Sequence, residues 1–203
     1  MPRHGKDHAI PPHKINYRAN VWALQQIGVK RIFAINAVGG IHGETGPGKF
    51  ALPDQLIDYT YSRVGTFFEE DLESVTHIDF TEPFSSQLRE EIKSAFEKTN
   101  EALVANKMLL AEGVYGCMQG PRLETAAEVK RLRQDGCDMV GMTGMPEAAL
   151  ARELKLDYAM LALSVNWAAG IGESEILMAE IEAHVEAGMG FVMDVVKSLI
   201  ENS

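Results

Sequence analysis

Thr143 occupies a setting suited to chemistry. It lies in Gly141-Met142-Thr143-Gly144-Met145-Pro146, between an apolar run and the proline-led start of a helix. A hydroxyl and backbone N–H groups at such a turn suit an anion. The same text also fits a plain strand-to-helix turn capped by a threonine. Arg3 and His4 are adjacent basic groups suited to phosphate or sulfate, and equally to a solvated terminus. In Asn36-Ala37-Val38-Gly39-Gly40, the glycines would let backbone approach a ligand closely. This run is not GxGxxG and no acidic residue follows at the dinucleotide spacing, which excludes a nicotinamide site. Asn166 closes a mostly apolar run, where a polar amide needs a partner in a turn or a ligand. Glu124 stands beside Leu123 and just before a helix cap, a position that favours a carboxylate on electrostatic grounds alone. Met142, Met145 and Met178 read as packing. His4, His8 and His13 match no ligand spacing, and Pro11-Pro12 breaks any helix that would align them, so no metal site is expected. There is no GxSxG elbow.

The elements that must position these residues alternate. Ile15–Gly28 reads as a helix and Arg31–Val38 as a buried strand ending in two glycines. Gln55–Tyr61 is a second strand, with loops at Gly43–Pro53 and Gly65–Ser74. Phe84, Leu88, Ile92, Phe96 and Leu103 mark a long amphipathic helix over Pro83–Asn106. Leu110–Met118 reads as a strand. Thr125 to Glu128 is a capping box that opens a helix stopping at Gly136. Cys137–Thr143 is a strand, Glu147–Lys155 a helix, and Leu156–Val165 a strongly apolar strand. A helix over Glu175–Glu201 carries Ile181, Val185, Met189, Val192, Val196 and Leu199 on one stripe. This alternation predicts an α/β fold with a mixed, mostly parallel sheet, and ligands outside the carboxyl ends of the strands.

With 203 residues, 46% of them hydrophobic, one domain spanning 1–203 is expected, with a core that needs no disulfide. Two cysteines far apart suit a reducing cytoplasm. A net charge of −10 gives no general attraction for a polyphosphate, so no nucleic-acid partner is expected. No apolar run is long enough to predict a membrane span, and the polar start does not read as a signal peptide.

Three motifs in order, Gly120-Pro121-Arg122-Leu123-Glu124-Thr125, Met142-Thr143-Gly144-Met145-Pro146-Glu147-Ala148 and Val165-Asn166-Trp167-Ala168-Ala169-Gly170, resemble the trimeric purine nucleoside phosphorylases. The similarity is greatest to the branch of methylthioadenosine and methylthioinosine phosphorylases. Arg3-His4-Gly5, Asn16-Tyr17-Arg18-Ala19-Asn20 and the Asn36–Gly40 run fit the same branch. The resemblance implies a three-layer α/β/α fold and a cytoplasmic homotrimer without a cofactor. It also implies phosphorolysis, with inorganic phosphate as co-substrate. Arg3, His4, Asn36, Ala37 and Thr143 would bind phosphate. Met142 would pack on the ribose. Leu123, Glu124, Asn166, Trp167 and Ala168 would line the base, with Asn166 acting at N7. His77 would reach a neighbouring subunit's site.

Glu124 with Asn166 favours a 6-oxopurine, because the amide donates to O6 and the carboxylate accepts from N1–H. The resemblance places Met178 and Ile181 where the family meets the 5′ substituent, and their apolar side chains suit a methylthio group. Together these point to S-methyl-5′-thioinosine, then inosine or guanosine, then methylthioadenosine; the alternative outside enzymes is an inactive purine-binding subunit. The family opens with a strand and a Gly-rich turn whose Ser or Thr also contacts phosphate. This sequence starts at the Arg-His loop, so it reads as N-terminally short, with the edge beside that strand exposed.

Overall fold

The computed structural model describes residues 1–172 and 175–202. Seven strands form one mixed sheet among the described residues: β1 (Arg31–Gly40), β2 (Phe50–Ala51), β3 (Gln55–Asp58), β4 (Leu109–Leu110), β5 (Val114–Cys117), β6 (Met139–Gly141) and β7 (Asp157–Trp167). Their order is β3-β5-β6-β1-β7-β2-β4. The β3–β5, β5–β6, β1–β7 and β2–β4 pairs are parallel, and β1–β6 and β2–β7 are antiparallel. The helices are α1 (Tyr17–Gln26), α2 (Ser86–Ala102), α3 (Ala126–Gln134), α4 (Glu147–Glu153) and α5 (Met178–Glu201).

β7 shows why the central strands read as continuous apolar text. Tyr158, Met160 and Ala162 face the group that includes Tyr17, Val21, Leu150 and Ala151 of α1 and α4. Leu161, Leu163 and Val165 face Phe96, Phe191 and Val192 of α2 and α5. Both faces are covered, so both sets of alternating side chains must be apolar. Local chemistry sets the helix starts. Asn16 Oδ1 accepts from the Ala19 N–H at 3.0 Å, and Ser85 Oγ from the Leu88 N–H at 3.3 Å. The Thr125–Glu128 capping box forms as expected.

Several boundaries differ from the sequence reading: α1, β3, α2 and β6 are shorter than expected, and four other differences have a visible structural basis. Leu110–Met118 is two strands, because the chain breaks at Gly113, where φ is +150°. The Gly43–Pro53 loop contains β2, which pairs with β7 and β4. The last helix starts at Met178 rather than Glu175, and Glu173 and Ser174 lie outside the described residues. β7 runs on through Asn166 and Trp167, because β1 continues beside it to Gly40 across an irregularity at Val38/Gly39.

β1 pairs with β7 along its whole length, but with β6 only at Gly39 and Gly40. Among the described residues its other edge is therefore uncovered by a strand over 31–38. The Arg3 side chain lies there and donates to the Ile35 carbonyl at 3.0 Å.

Candidate active site

The antiparallel β1–β6 pair fixes the centre of the site. Because the two strands run in opposite directions, the chain leaving β6 runs back along β1 toward Asn36. Asn36 and Ala37 both lie inside β1. Asn36 is 3% exposed, and its Nδ2 donates to Thr143 Oγ1 at 2.7 Å. Its Oδ1 is buried without a hydrogen-bond partner among the described residues. Ala37 beside it is exposed. The Thr143 N–H donates to the Tyr115 hydroxyl at 3.3 Å, and the Met145 N–H to Cys117 Sγ at 3.3 Å. The backbone of this turn is thus engaged by protein, and what Thr143 offers a ligand is its hydroxyl proton.

Sequence reasoning missed the second anchor. Arg3 donates from Nε to Glu147 Oε2 at 2.9 Å and from a terminal nitrogen to Oε1 at 2.6 Å. The Tyr158 hydroxyl donates to the same Oε1 at 2.9 Å. The Arg3 and Glu147 side chains are 15% and 7% exposed. Burial opposes the Arg3 charge, but the Glu147 carboxylate outweighs it and holds the guanidinium pKa above the ordinary arginine value. Burial also pushes the Tyr158 and Tyr115 phenols well up, so both stay protonated. One hydrogen on each Arg3 terminal nitrogen is left over from these bonds. The signal was present in the sequence as a glutamate in a first helical turn between Pro146 and Ala148, but nothing local marked it as an arginine partner.

His4 is half-buried, and its Nδ1 lies 2.9 Å from the Ile10 carbonyl. Burial lowers its pKa, so the ring is neutral at neutral pH. The His4 and His8 rings are 4.6 Å apart. Among the described residues, no group of three or more His, Cys, Asp and Glu is placed to hold a metal ion.

Gly39 and Gly40 admit the protein's own backbone rather than a ligand. A Cβ at Gly39 would lie 3.3 Å from Ala168 Cα, and one at Gly40 would collide with the Thr45 carbonyl. Asn166 sits half-buried opposite Gly39, and its Nδ2 donates to the Trp167 carbonyl at 2.7 Å. Ala168 is buried, and the Trp167 ring packs against Gly46 and Gly172. Glu124 is half-buried, and burial raises its pKa. Leu123 beside it is 41% exposed. The Glu124 loop and the segment after Asn166 meet where Gly170 abuts Ala126. Met142 lies half-buried with its sulfur against Gly120.

The remaining expected residues are dispersed. Met178 is 60% exposed at the first turn of α5. Ile181, expected beside a 5′ group, instead packs against the core of Phe191 and Leu163, because the α5 stripe faces the sheet. His77 is exposed in the coil before α2. No described helix is long and apolar enough to cross a membrane.

This arrangement has clear counterparts. The model of the phosphorylase superfamily matches residues 1–201. The chain is 56% identical to a probable S-methyl-5′-thioinosine phosphorylase of Pseudomonas syringae, over 95% of this chain and 76% of that one. It is 46% identical to a 6-oxopurine nucleoside phosphorylase of Pyrococcus furiosus, over 89% and 68%. A methylthioadenosine phosphorylase of Schistosoma mansoni, solved with adenine, superposes with a TM-score of 0.92 at 31% identity, covering 99% of this chain and 74% of that one. The chain belongs to the phosphorylase superfamily, among its nucleoside phosphorylases.

Proposed function

We propose that the chain, acting as one phosphorylase domain over 1–203, catalyses phosphorolysis of a purine nucleoside, with S-methyl-5′-thioinosine as its principal substrate. Phosphate attacks C1′ as the C1′–N9 bond breaks, giving hypoxanthine and 5-methylthioribose 1-phosphate. The observation that carries this reading is the buried Asn36–Thr143 contact beside the Arg3–Glu147 pair, in a chain 56% identical to a probable S-methyl-5′-thioinosine phosphorylase.

In this reading Arg3, neutral His4, the Thr143 hydroxyl and the exposed backbone at Ala37 hold phosphate. Glu147 neutralises Arg3, so the anion is held by directed hydrogen bonds more than by net charge. The unpartnered Asn36 Oδ1 accepts from a ligand hydroxyl, either a protonated phosphate oxygen or the sugar. Met142 covers the ribose. Asn166 exchanges its bond to the Trp167 carbonyl for the base, donating to O6 and accepting from the proton at N7 as the purine leaves. Glu124 accepts from N1–H. Leu123, Trp167 and Ala168 border the base, and the apolar Met178 meets the 5′-methylthio group. The protein acts in the cytoplasm without a cofactor, as a homotrimer in which the exposed His77 reaches the neighbouring site. Inosine or guanosine is the second reading. It is favoured by the engagement of Ile181 in the core, which leaves Met178 alone to select a 5′ substituent.

An HPLC assay with a nucleoside panel, with and without phosphate, tests this. Methylthioinosine should disappear only when phosphate is present. Equal turnover without phosphate would overturn the proposal.

A further inference from the structure

Arg63 lies in the coil between β3 and α2 and pairs with no carboxylate among the described residues. Its guanidinium instead gathers backbone oxygens. One terminal nitrogen donates to the carbonyls of Met142 at 2.9 Å and Met145 at 2.5 Å, and to the Tyr17 hydroxyl at 3.4 Å. The other donates to the carbonyls of Met118 at 3.2 Å and Gln119 at 2.8 Å, while Nε donates to Gln119 Oε1 at 3.1 Å. The cation also stands 5.6 Å from the centre of the Tyr17 ring. The residue before it, Ser62, has φ +55°, a conformation non-glycine residues avoid unless their surroundings hold it.

Two chain segments meet at this one group. Met118 and Gln119 follow β5 and lead to Leu123 and Glu124. Met142 and Met145 bracket Thr143 in the turn from β6 to α4. Carbonyls at strand ends have lost their ladder partners and require donors. A planar fork with several N–H groups and no acceptor supplies donors in fixed directions, which a single ammonium group does not. The strands that carry the two segments also meet, through the Met118 N–H to the Gly141 carbonyl at 2.8 Å and the Met145 N–H to Cys117 Sγ, and Met142 packs on Gly120.

We infer that Arg63 is a positioning residue that fixes the base-side segment 118–124 against the phosphate-side turn 142–146. This rests on the phosphorylase reading for the roles of Glu124, Met142 and Thr143, while the bracing itself stands on the hydrogen bonds alone.

Amide hydrogen exchange and steady-state kinetics on the full chain separate the two. Arg63→Met keeps the stem and removes the donors. It should speed exchange at the Met118, Thr143 and Met145 amides together, while Ile92 of α2 and Val192 of α5 stay protected. It should also lower kcat/KM by roughly 100-fold, as expected for a small misplacement of reacting groups. Arg63→Lys, which keeps the charge, should show the same two effects at smaller size. Guanidinium ion added to Arg63→Ala should restore part of the lost rate. If Arg63→Met and Arg63→Lys both keep wild-type exchange and wild-type kcat/KM, or if exchange rises equally in α2 and α5, the positioning role is overturned. A wild-type chain without phosphate-dependent turnover would fail the functional reading, and the exchange result would still decide the brace.

Discussion

Asn36, Thr143 and Glu147 are buried, Arg3 is half-buried against Glu147, and all four are tied to one another or to strand backbone. Glu124 and Asn166, on the side proposed for the base, are half-buried and lie in or beside loops, and the Asn166 amide bonds to the next residue's carbonyl. The first group is part of the fold's core, and the second sits on its rim. The difference separates two tasks. Under the proposed function, an anion subsite made from core groups could not change without disturbing the sheet, whereas rim side chains can change at little structural cost.

The sharpest way to break the comparison is Glu147→Gln. It keeps the shape of the side chain but leaves the Arg3 cation largely buried beside a neutral amide. Removing one partner of a buried pair typically costs about 3–5 kcal/mol, and the retained Ile35 carbonyl argues for the lower end, about 3 kcal/mol. Urea unfolding should show a clearly lower midpoint, with turnover of every nucleoside reduced alike. An unchanged midpoint would mean that the pair is not part of the core after all.

Asn166→Asp probes the other region. A carboxylate there accepts from both N6–H and N7–H, so the ratio of 6-aminopurine to 6-oxopurine kcat/KM should rise, on the order of 10–100-fold. Stability should move by no more than about 0.5 kcal/mol, since the lost amide bond is local and partly exposed. A fixed ratio combined with a large loss of stability would reverse the roles assigned to core and rim.

The rim was more legible in the sequence than the core of the site. Thr125 and Glu128 announce their cap over three residues, and Asn166 is conspicuous as a polar residue closing an apolar run. β7 was readable because both of its faces must be apolar. The Arg3–Glu147 pair joins residues 144 apart, so no local pattern encodes it. Arg63 lies in a coil without periodicity, where its carbonyl partners are invisible as side chains. β2 and β4 are two residues each and exist through pairing rather than propensity.

The smallest expected effect concerns one proton. Glu124 and Glu128 share a loop and its helix start, yet titrate apart. Hydrogen bonds from Arg122, and then from the Thr125 N–H, hold Glu128 down at about 2, so it stays ionised throughout the working range. Burial pushes Glu124 up. A carboxyl with a raised pKa takes its proton at a higher pH than usual, so its ionised, accepting form is lost early as the solution is acidified. For a 6-oxopurine nucleoside, kcat/KM should therefore fall on the acid side, beginning above the ordinary glutamate value, by up to about 10-fold per pH unit. In Glu124→Gln the group no longer titrates, so this acid limb should flatten at a lower plateau. An acid limb identical in wild type and Glu124→Gln would assign it to another group. His4 would then be the natural suspect, because burial lowers its pKa from the ordinary imidazole value, and the pH dependence would belong to the side proposed for the anion.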